Sequence, residues 1–252
     1  MQGVAGDDER RMTIVEHLEE LRRVLAISMI AWLVCTVVAF CFNHDLLVIL
    51  LHPLAIVLPQ HNHLLQQIGG VAIFTSPTEG LTVPLMIAGV VGLIAALPII
   101  LWQLWTFVAP GLRPVERRFA GPFIASALVL FAIGGAFAYF VMPIGLNFLV
   151  GFMDGTAVYF PDINQYLSFL LMLILIFGIT FELPVVIIML GLLGIVSSRF
   201  LSQRRKGIWV GIIFVALIVT PGADPYTPTA LAIPLIVLFE LSILVLGKVL
   251  HR

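Results

Sequence analysis

The sequence predicts an all-α membrane protein with several spans, and its hydropathy, its low charge and its long apolar runs all point to this fold class. Hydrophobic residues make up 61% of the chain and charged residues only 11%, and the mean hydropathy is +1.13. No water-soluble domain of ordinary composition approaches these values. The apolar runs are continuous rather than alternating over about ten residues, which predicts helices and not a β-barrel.

Six long apolar stretches are candidate spans of a single integral membrane domain, residues 1–252. They cover residues 24–42, 81–108, 119–141, 166–196, 207–220 and 230–246. At about 1.5 Å per residue the last two reach only about 21 and 26 Å, against a hydrocarbon core of about 30 Å. Short spans thin the bilayer or associate with other helices. We therefore expect a deformed membrane or a partner at this corner of the protein.

The distribution of basic residues predicts the orientation of the spans. All 13 Lys and Arg residues lie before the first span, in the second and fourth connections, or in the C-terminal tail. The other connections carry acids and no bases, so the positive-inside rule places both termini in the cytoplasm. The first 23 residues alternate acids and bases, which does not resemble a cleavable signal or transit peptide. We expect a bacterial cytoplasmic membrane protein that is inserted by its first span.

Two acids in the basic segments have two interpretations each. Residues 1–23 end in an amphipathic helix, on which Glu20 is either a solvated acid paired with Arg23 or an acceptor for a ligand. Glu116 precedes the third span, as the first turn of a helix prefers. It is either held by Arg113 or available to a ligand. The residues alone leave both choices open.

Glu182 lies inside the otherwise uncharged run 166–196. A charged side chain at the centre of a membrane helix costs roughly 2.5 to 3.5 kcal/mol on translocon scales. Such an acid is expected to have a function. The structural alternative is that Pro184 frees the carbonyl of Thr180, which a protonated Glu182 satisfies at a kink.

No catalytic constellation is apparent, and neither a metal, a cofactor nor a nucleic-acid partner is expected. The two histidines of the segment 61–63 lack a third ligand, and Ser168 has no histidine near its depth. Cys35 and Cys41 are expected to be packing residues within the first span. A proton-coupled transporter is the main alternative function, but it predicts an internal repeat that the chain lacks. An intramembrane enzyme would need a second group at the depth of Glu182.

Four ordered segments resemble the TatC family, the six-span core subunit of the twin-arginine translocase. They are "HLEELRR" at 17–23, "WQLWTFVAPGLRPVERR" at 102–118, "FGITFELPVV" at 177–186 and "TPGADPYT" at 220–227. "AIPLIVLFELSI" at 232–243 is similar to the last helix of the family. The resemblance implies a cupped bundle of six helices and a receptor that exports folded proteins with the proton-motive force. It implies no enzymatic activity.

The same resemblance assigns candidate site residues. The arginine pair of the signal peptide is expected to bind Glu20 and Glu116, with Arg22 and Phe107 in support. A guanidinium makes two parallel bonds to a carboxylate, which a lysine ammonium cannot reproduce.

Partner binding or mechanism is expected to involve two further acids, Glu182 and Asp224. Glu182 is expected to meet a polar residue of a TatA-type helix, since an acid in lipid favours a polar partner. A TatB-type helix is expected along the short fifth span. Self-association in a larger complex is expected as well.

Overall fold

The computed structural model describes residues 14–61, 72–73, 75–111, 120–151, 160–220 and 225–249, and these segments are almost entirely helical. Their α-helices are α1 Ile14–Cys41, α2 Asn43–His61, α3 Glu79–Val108, α4 Ala120–Gly151, α5 Ile163–Phe181, α6 Leu183–Leu192, α7 Ser198–Gln203, α8 Arg205–Val219 and α9 Tyr226–Leu244. A 3₁₀ turn, Ala109–Gly111, follows α3, and a π-helical turn, Val245–Val249, follows α9. The predicted all-α class is confirmed.

Several helices are long and apolar enough to cross a membrane. In the described part of the chain there are five such segments, Glu16–Cys41, Glu79–Val108, Ala120–Gly151, Ile163–Leu192 and Tyr226–Lys248. The helix at the fifth predicted span, α8, has 15 residues. It therefore extends about 22 Å and is short for a bilayer of about 30 Å.

Two regions differ from the expectations for the spans. The last span is not short, because α9 begins at Tyr226 and the apolar helical segment reaches Lys248 over 23 residues. Its early start includes Pro228, which a helix tolerates in its first turn because that position lacks an intrahelical acceptor. The long connection after the first span contains the 19-residue helix α2.

Helix α2 is anchored to α4 and α5 by buried leucines and by two tyrosines. Leu50 and Leu54 belong to the main hydrophobic core. The Tyr166 hydroxyl donates to the carbonyl of Leu50 at 3.0 Å, and the Tyr139 hydroxyl donates to that of Ile49 at 2.7 Å. These bonds join α2 to helices that lie far along the chain, so its position depends on tertiary contacts.

The closest approach of α1 and α3 is at Gly92. A Cβ atom on Gly92 would lie 2.5 to 2.6 Å from the side-chain oxygen and backbone atoms of Thr36, so a larger residue does not fit. A few residues away, Trp32 Nε1 donates to the carbonyl of Gly89 at 2.9 Å. Small residues that let helix backbones approach are typical of packing in membranes.

Helices α4 and α5 pack in the same way through a pair of glycines. A Cβ on Gly134 would lie 2.6 Å from the carbonyl oxygen of Phe177, and one on Gly178 would meet the ring of Phe131 at 2.6 Å. Phe177 itself is fully buried. The centre of the bundle is therefore held by close packing of large rings against glycine faces.

Candidate functional site

Glu20 lies near the start of α1 with one carboxylate oxygen unsatisfied. Its side chain is half-buried, and Oε2 is buried with no hydrogen-bond partner in the part of the chain that the structure describes. No ion pair joins it to Arg23, which is exposed, so the structure does not support the interpretation of Glu20 as a paired surface acid. A buried carboxylate oxygen without a donor is unfavourable. Glu20 therefore has an acceptor that the described residues leave unused.

Phe107 and Glu20 lie at the same end of the α1–α3 pair. Phe107 is in the last turn of α3, and its ring stacks on that of His17 with centroids 4.3 Å apart and planes 17° apart. His17 precedes Glu20 by three residues, which places the two side chains on one face of α1. We call His17, Glu20 and Phe107 the Glu20 end of α3. Arg22 is nearby on α1 and exposed.

His17 was not singled out from the sequence. It is part of the segment that contains Glu20, but a lone histidine on an amphipathic helix carries no signal of a ring partner. That partner, Phe107, lies on another helix 90 residues further along the chain.

Two predicted site residues, Glu116 and Asp224, lie outside the described residues, as does Arg113. Their proposed roles stay predictions.

Glu182 stands at the junction between α5 and α6 and interrupts the long helical segment. It is the C-cap of α5 and the N-cap of α6, and its side chain makes no capping hydrogen bond. Its backbone N–H donates to the carbonyls of Ile179 and Thr180. No bond from its carboxyl group to Thr180 is found in the described part of the chain, so the kink does not require the acid.

The surface around Glu182 is apolar and open. Glu182 is half-buried, and Ile179 and Val186, about one turn to either side, are 63% and 52% exposed. In a membrane this surface faces lipid or another helix. An acid at such a place favours a polar group on a neighbouring helix.

Two carboxylates, those of Glu79 and Asp162, lie together at the other end of α3, and both accept hydrogen bonds. Glu79, the first residue of α3, is buried, and its two oxygens accept from the backbone N–H of Thr75 at 3.1 Å and its hydroxyl at 2.7 Å. The same hydroxyl lies 2.5 Å from Oδ2 of Asp162, which caps α5 by accepting from Gln165 N–H. We call Thr75, Glu79 and Asp162 the Glu79 end of α3.

Backbone bonds reinforce the Glu79 end. Ile73 N–H donates to the carbonyl of Pro161, and Ile163 N–H donates to that of Ile73, which forms a parallel bridge. The Thr75 bond, more than the capping bond from Gln165, holds the pKa of Asp162 below its ordinary value. The sequence signal for this end is the run from Thr75 to Glu79 just before an apolar stretch, since an acid there resembles a helix start.

Glu240 on α9 has partners on α8. It forms an ion pair with Arg205, 3.0 Å from Nε to Oε1, and accepts a hydrogen bond from Trp209 Nε1 at 3.1 Å. The acid in the last span therefore ties two helices together.

Metal-binding groups are not evident in the described residues, where no three His, Cys, Asp or Glu side chains cluster. Cys35 and Cys41 are free thiols. The side chains of the segment 61–63 lie outside the described residues.

Long apolar helices, glycine-mediated packing and a polar site at a helix end define a multi-pass α-helical membrane protein. A protein-family model described as "Sec-independent protein translocase protein (TatC)" matches residues 16–234. The chain belongs to the TatC family.

Relatives from distant bacteria match nearly the whole chain. A TatC of Carboxydothermus hydrogenoformans is 38% identical over 239 residues, which covers 94% of this chain and 94% of that protein. A TatC of Aquifex aeolicus is 38% identical over 244 residues, with coverage of 96% and 97%. A crystal structure of a twin-arginine translocase receptor TatC is similar with a TM-score of 0.77 and 38% identity, covering 94% of this chain and 100% of that one.

Proposed function

We propose that this protein is the core receptor and scaffold subunit of a twin-arginine translocase. It binds the signal peptides of folded proteins at the cytoplasmic face and, with TatA-type and TatB-type partners, mediates their export by the proton-motive force. It acts by binding and assembly rather than by catalysis. The single observation that supports the receptor role best is the carboxylate oxygen of Glu20 that has no hydrogen-bond partner among the described residues, one helical turn from His17, whose ring stacks on Phe107.

The charge distribution supports the placement of the Glu20 end in the cytoplasm. Arg22 and Arg23 follow Glu20 within one helical turn, and Arg204 and Lys206 flank the start of α8. Positive residues concentrate on the cytoplasmic side of membrane proteins. A cysteine at position 60 or 156 is expected to react with an impermeant reagent added outside the cell, and one at position 203 is not. Labelling at 203 in intact cells would refute this orientation.

Glu20 fits the recognition of a guanidinium. An arginine presents two parallel N–H groups to a carboxylate, and the buried Oε2 has no competing donor in the described part of the chain. Glu116 is proposed as the second acid. A lysine ammonium has no planar fork, so two acids on separate segments favour a pair of arginines.

The receptor role is tested by measuring how a twin-arginine peptide binds to membranes that contain the protein or to the purified complex. Glu20→Ala and Glu116→Ala are each expected to weaken binding of a twin-arginine peptide about tenfold to a hundredfold, because a hydrogen bond to a charged group is worth roughly 1.5 to 3 kcal/mol. Replacing the arginines of the peptide with lysine should weaken binding to the wild type far more than to the double variant. Wild-type affinity in both single variants would exclude this site.

Glu182 is proposed as the docking point for the TatA-type helix. Its open apolar surroundings and the absence of a capping hydrogen bond from its side chain support a partner rather than a structural part. A hydrogen bond between membrane helices is worth roughly 0.6 to 2 kcal/mol. Asp224 is proposed to take part in partner binding or mechanism.

Cross-linking from Met189 to the partner helix tests this docking point. Glu182→Ala is expected to keep its protein level and bind signal peptide normally, while cross-linking and export are lost. Glu182→Gln is the matched control, since an amide still bonds to a polar group across helices and should retain part of both. Unchanged cross-linking and export in the alanine variant would reject the docking role.

A further inference from the structure

The ring pair at the Glu20 end joins two helices and has one accessible side. The rings of His17 and Phe107 lie 4.3 Å apart and within 17° of parallel. Phe107 is half-buried whereas His17 is exposed. Because Phe107 covers one face of the imidazole, the open face of the pair belongs to His17.

The position of Glu20 supplies a charge beside this open face. Side chains three residues apart on a helix are neighbours, so the carboxylate lies next to the imidazole on α1. Oε2 of Glu20 has no hydrogen-bond partner within the described residues. The cations of α1 that follow it, Arg22 and Arg23, are exposed. An acceptor without a donor next to a flat ring surface is complementary to a planar cation.

We propose that His17 is a specificity-determining residue of the signal-peptide site, whose open ring face stacks against the guanidinium that Glu20 binds. This inference rests on the proposed receptor function and deepens it. The ligand group is a guanidinium rather than an ammonium, because only the guanidinium is planar and weakly hydrated. Stacking on the ring and bonding to Glu20 use different parts of the same group, its face and its edge.

The two contacts contribute differently to selectivity. The carboxylate attracts arginine and lysine alike through its charge, although only arginine bonds to it with two N–H groups. The ring face adds a contact that favours arginine because flat surfaces stack. At an exposed site a cation–π contact changes affinity by about two- to fivefold.

Substitution of His17 in the full-length protein, in membranes with its partners, separates stacking from packing. His17→Leu retains an apolar side chain of similar size against Phe107 but has no ring, whereas His17→Phe retains a ring. We expect His17→Leu to weaken binding of a twin-arginine peptide about two- to fivefold and to weaken binding of the twin-lysine peptide less, because the ammonium has no flat face to stack on the ring. His17→Phe should keep the wild-type ratio between the two peptides.

The outcomes divide clearly. Equal weakening of both peptides in His17→Leu, or the same ratio in the leucine and phenylalanine variants as in the wild type, would overturn the role of His17 in specificity. The receptor function would survive this result if Glu20→Ala still weakened binding. If the wild type itself did not prefer arginine and Glu20→Ala had no effect, the proposed function would fail with it.

Discussion

An acid site lies near each end of helix α3, with Glu79 on α3 itself and Glu20 on the adjacent α1. The two sites differ in whether the carboxylate oxygens accept hydrogen bonds. At the Glu79 end, both oxygens of a buried carboxylate accept hydrogen bonds from Thr75. At the Glu20 end, a buried carboxylate oxygen has no partner in the described residues. The ends are about 45 Å apart, since α3 has 30 residues. Substitutions at one end are therefore expected to leave the other end unchanged.

We propose that the difference separates a structural end from a ligand-binding end. A bonded acid links the chain before α3 to the start of α5 and leaves nothing for a ligand. An unbonded acid destabilises the free protein slightly and gains its bonds only when a ligand arrives.

The largest expected effect comes from the contact that sets the spacing of α1 and α3. Gly92→Ala should lower the free energy of unfolding by roughly 1 to 3 kcal/mol, because the new Cβ would meet Thr36 backbone atoms. We expect the upper end of this range. Displacement of α1 should also weaken signal-peptide binding at the Glu20 end. Thermal unfolding in detergent and peptide binding measure both effects.

Gly89→Ala is the matched control, since its Cβ would have nothing within 4 Å. The free energy of unfolding of Gly89→Ala should equal that of the wild type or be slightly higher. Equal losses in the two variants would show that the close approach at Gly92 does not determine the packing.

The next largest effect distinguishes the two ends directly. Glu79→Ala should lower the free energy of unfolding by roughly 1 to 3 kcal/mol, because two part-buried hydrogen bonds from Thr75 to the charged carboxylate are lost. Glu20→Ala should leave the free energy of unfolding within about 0.5 kcal/mol of wild type and still weaken peptide binding. A Glu20→Ala variant as unstable as Glu79→Ala would remove the distinction.

A smaller effect is expected from the bond between α1 and α3 midway between the ends. Trp32→Phe loses the donor to the Gly89 carbonyl and should lower stability by about 1 kcal/mol. Trp102→Phe is the control, because Trp102 is 53% exposed and has no hydrogen bond within the described residues. Thermal unfolding of both variants would show whether the bond, rather than the ring, matters.

The smallest effect is a pH dependence at the Glu79 end. The Thr75 hydroxyl and then the Gln165 N–H hold the pKa of Asp162 below its ordinary value of 3.8. A lowered pKa in the folded state means that the carboxylate stabilises the fold above the ordinary value. This contribution is lost as the pH falls through the lowered value. The stability difference between wild type and Asp162→Asn should therefore shrink below about pH 4.

Measurement of unfolding midpoints at several pH values checks this trend. Thr75→Val should remove most of the pH dependence, since it removes the main cause of the pKa shift. A wild type whose advantage over Asp162→Asn grew toward acid would contradict the assignment.

The sequence by itself determined the class of the fold and the identity of several candidate acids. Continuous apolar runs require helices in a membrane because every backbone group must bond within its own segment. The charged residues that interrupt or flank these runs, such as Glu20 and Glu182, are conspicuous for the same reason. The helix α2 and the early start of α9 were not predicted, and the position of α2 depends on bonds from Tyr139 and Tyr166, which lie far along the chain.

Only the tertiary structure decided which acids are satisfied and which are open. Thr75 meets Asp162 across 87 residues, and His17 meets Phe107 across 90. The periodicity of apolar residues predicts which face of a helix is buried, but it does not predict which face of which other helix packs against it. A carboxylate near a donor and one without a donor look the same in the sequence. Their difference arises when packing at Gly92 and at the start of α5 brings distant segments together, because a hydrogen bond exists only at short range.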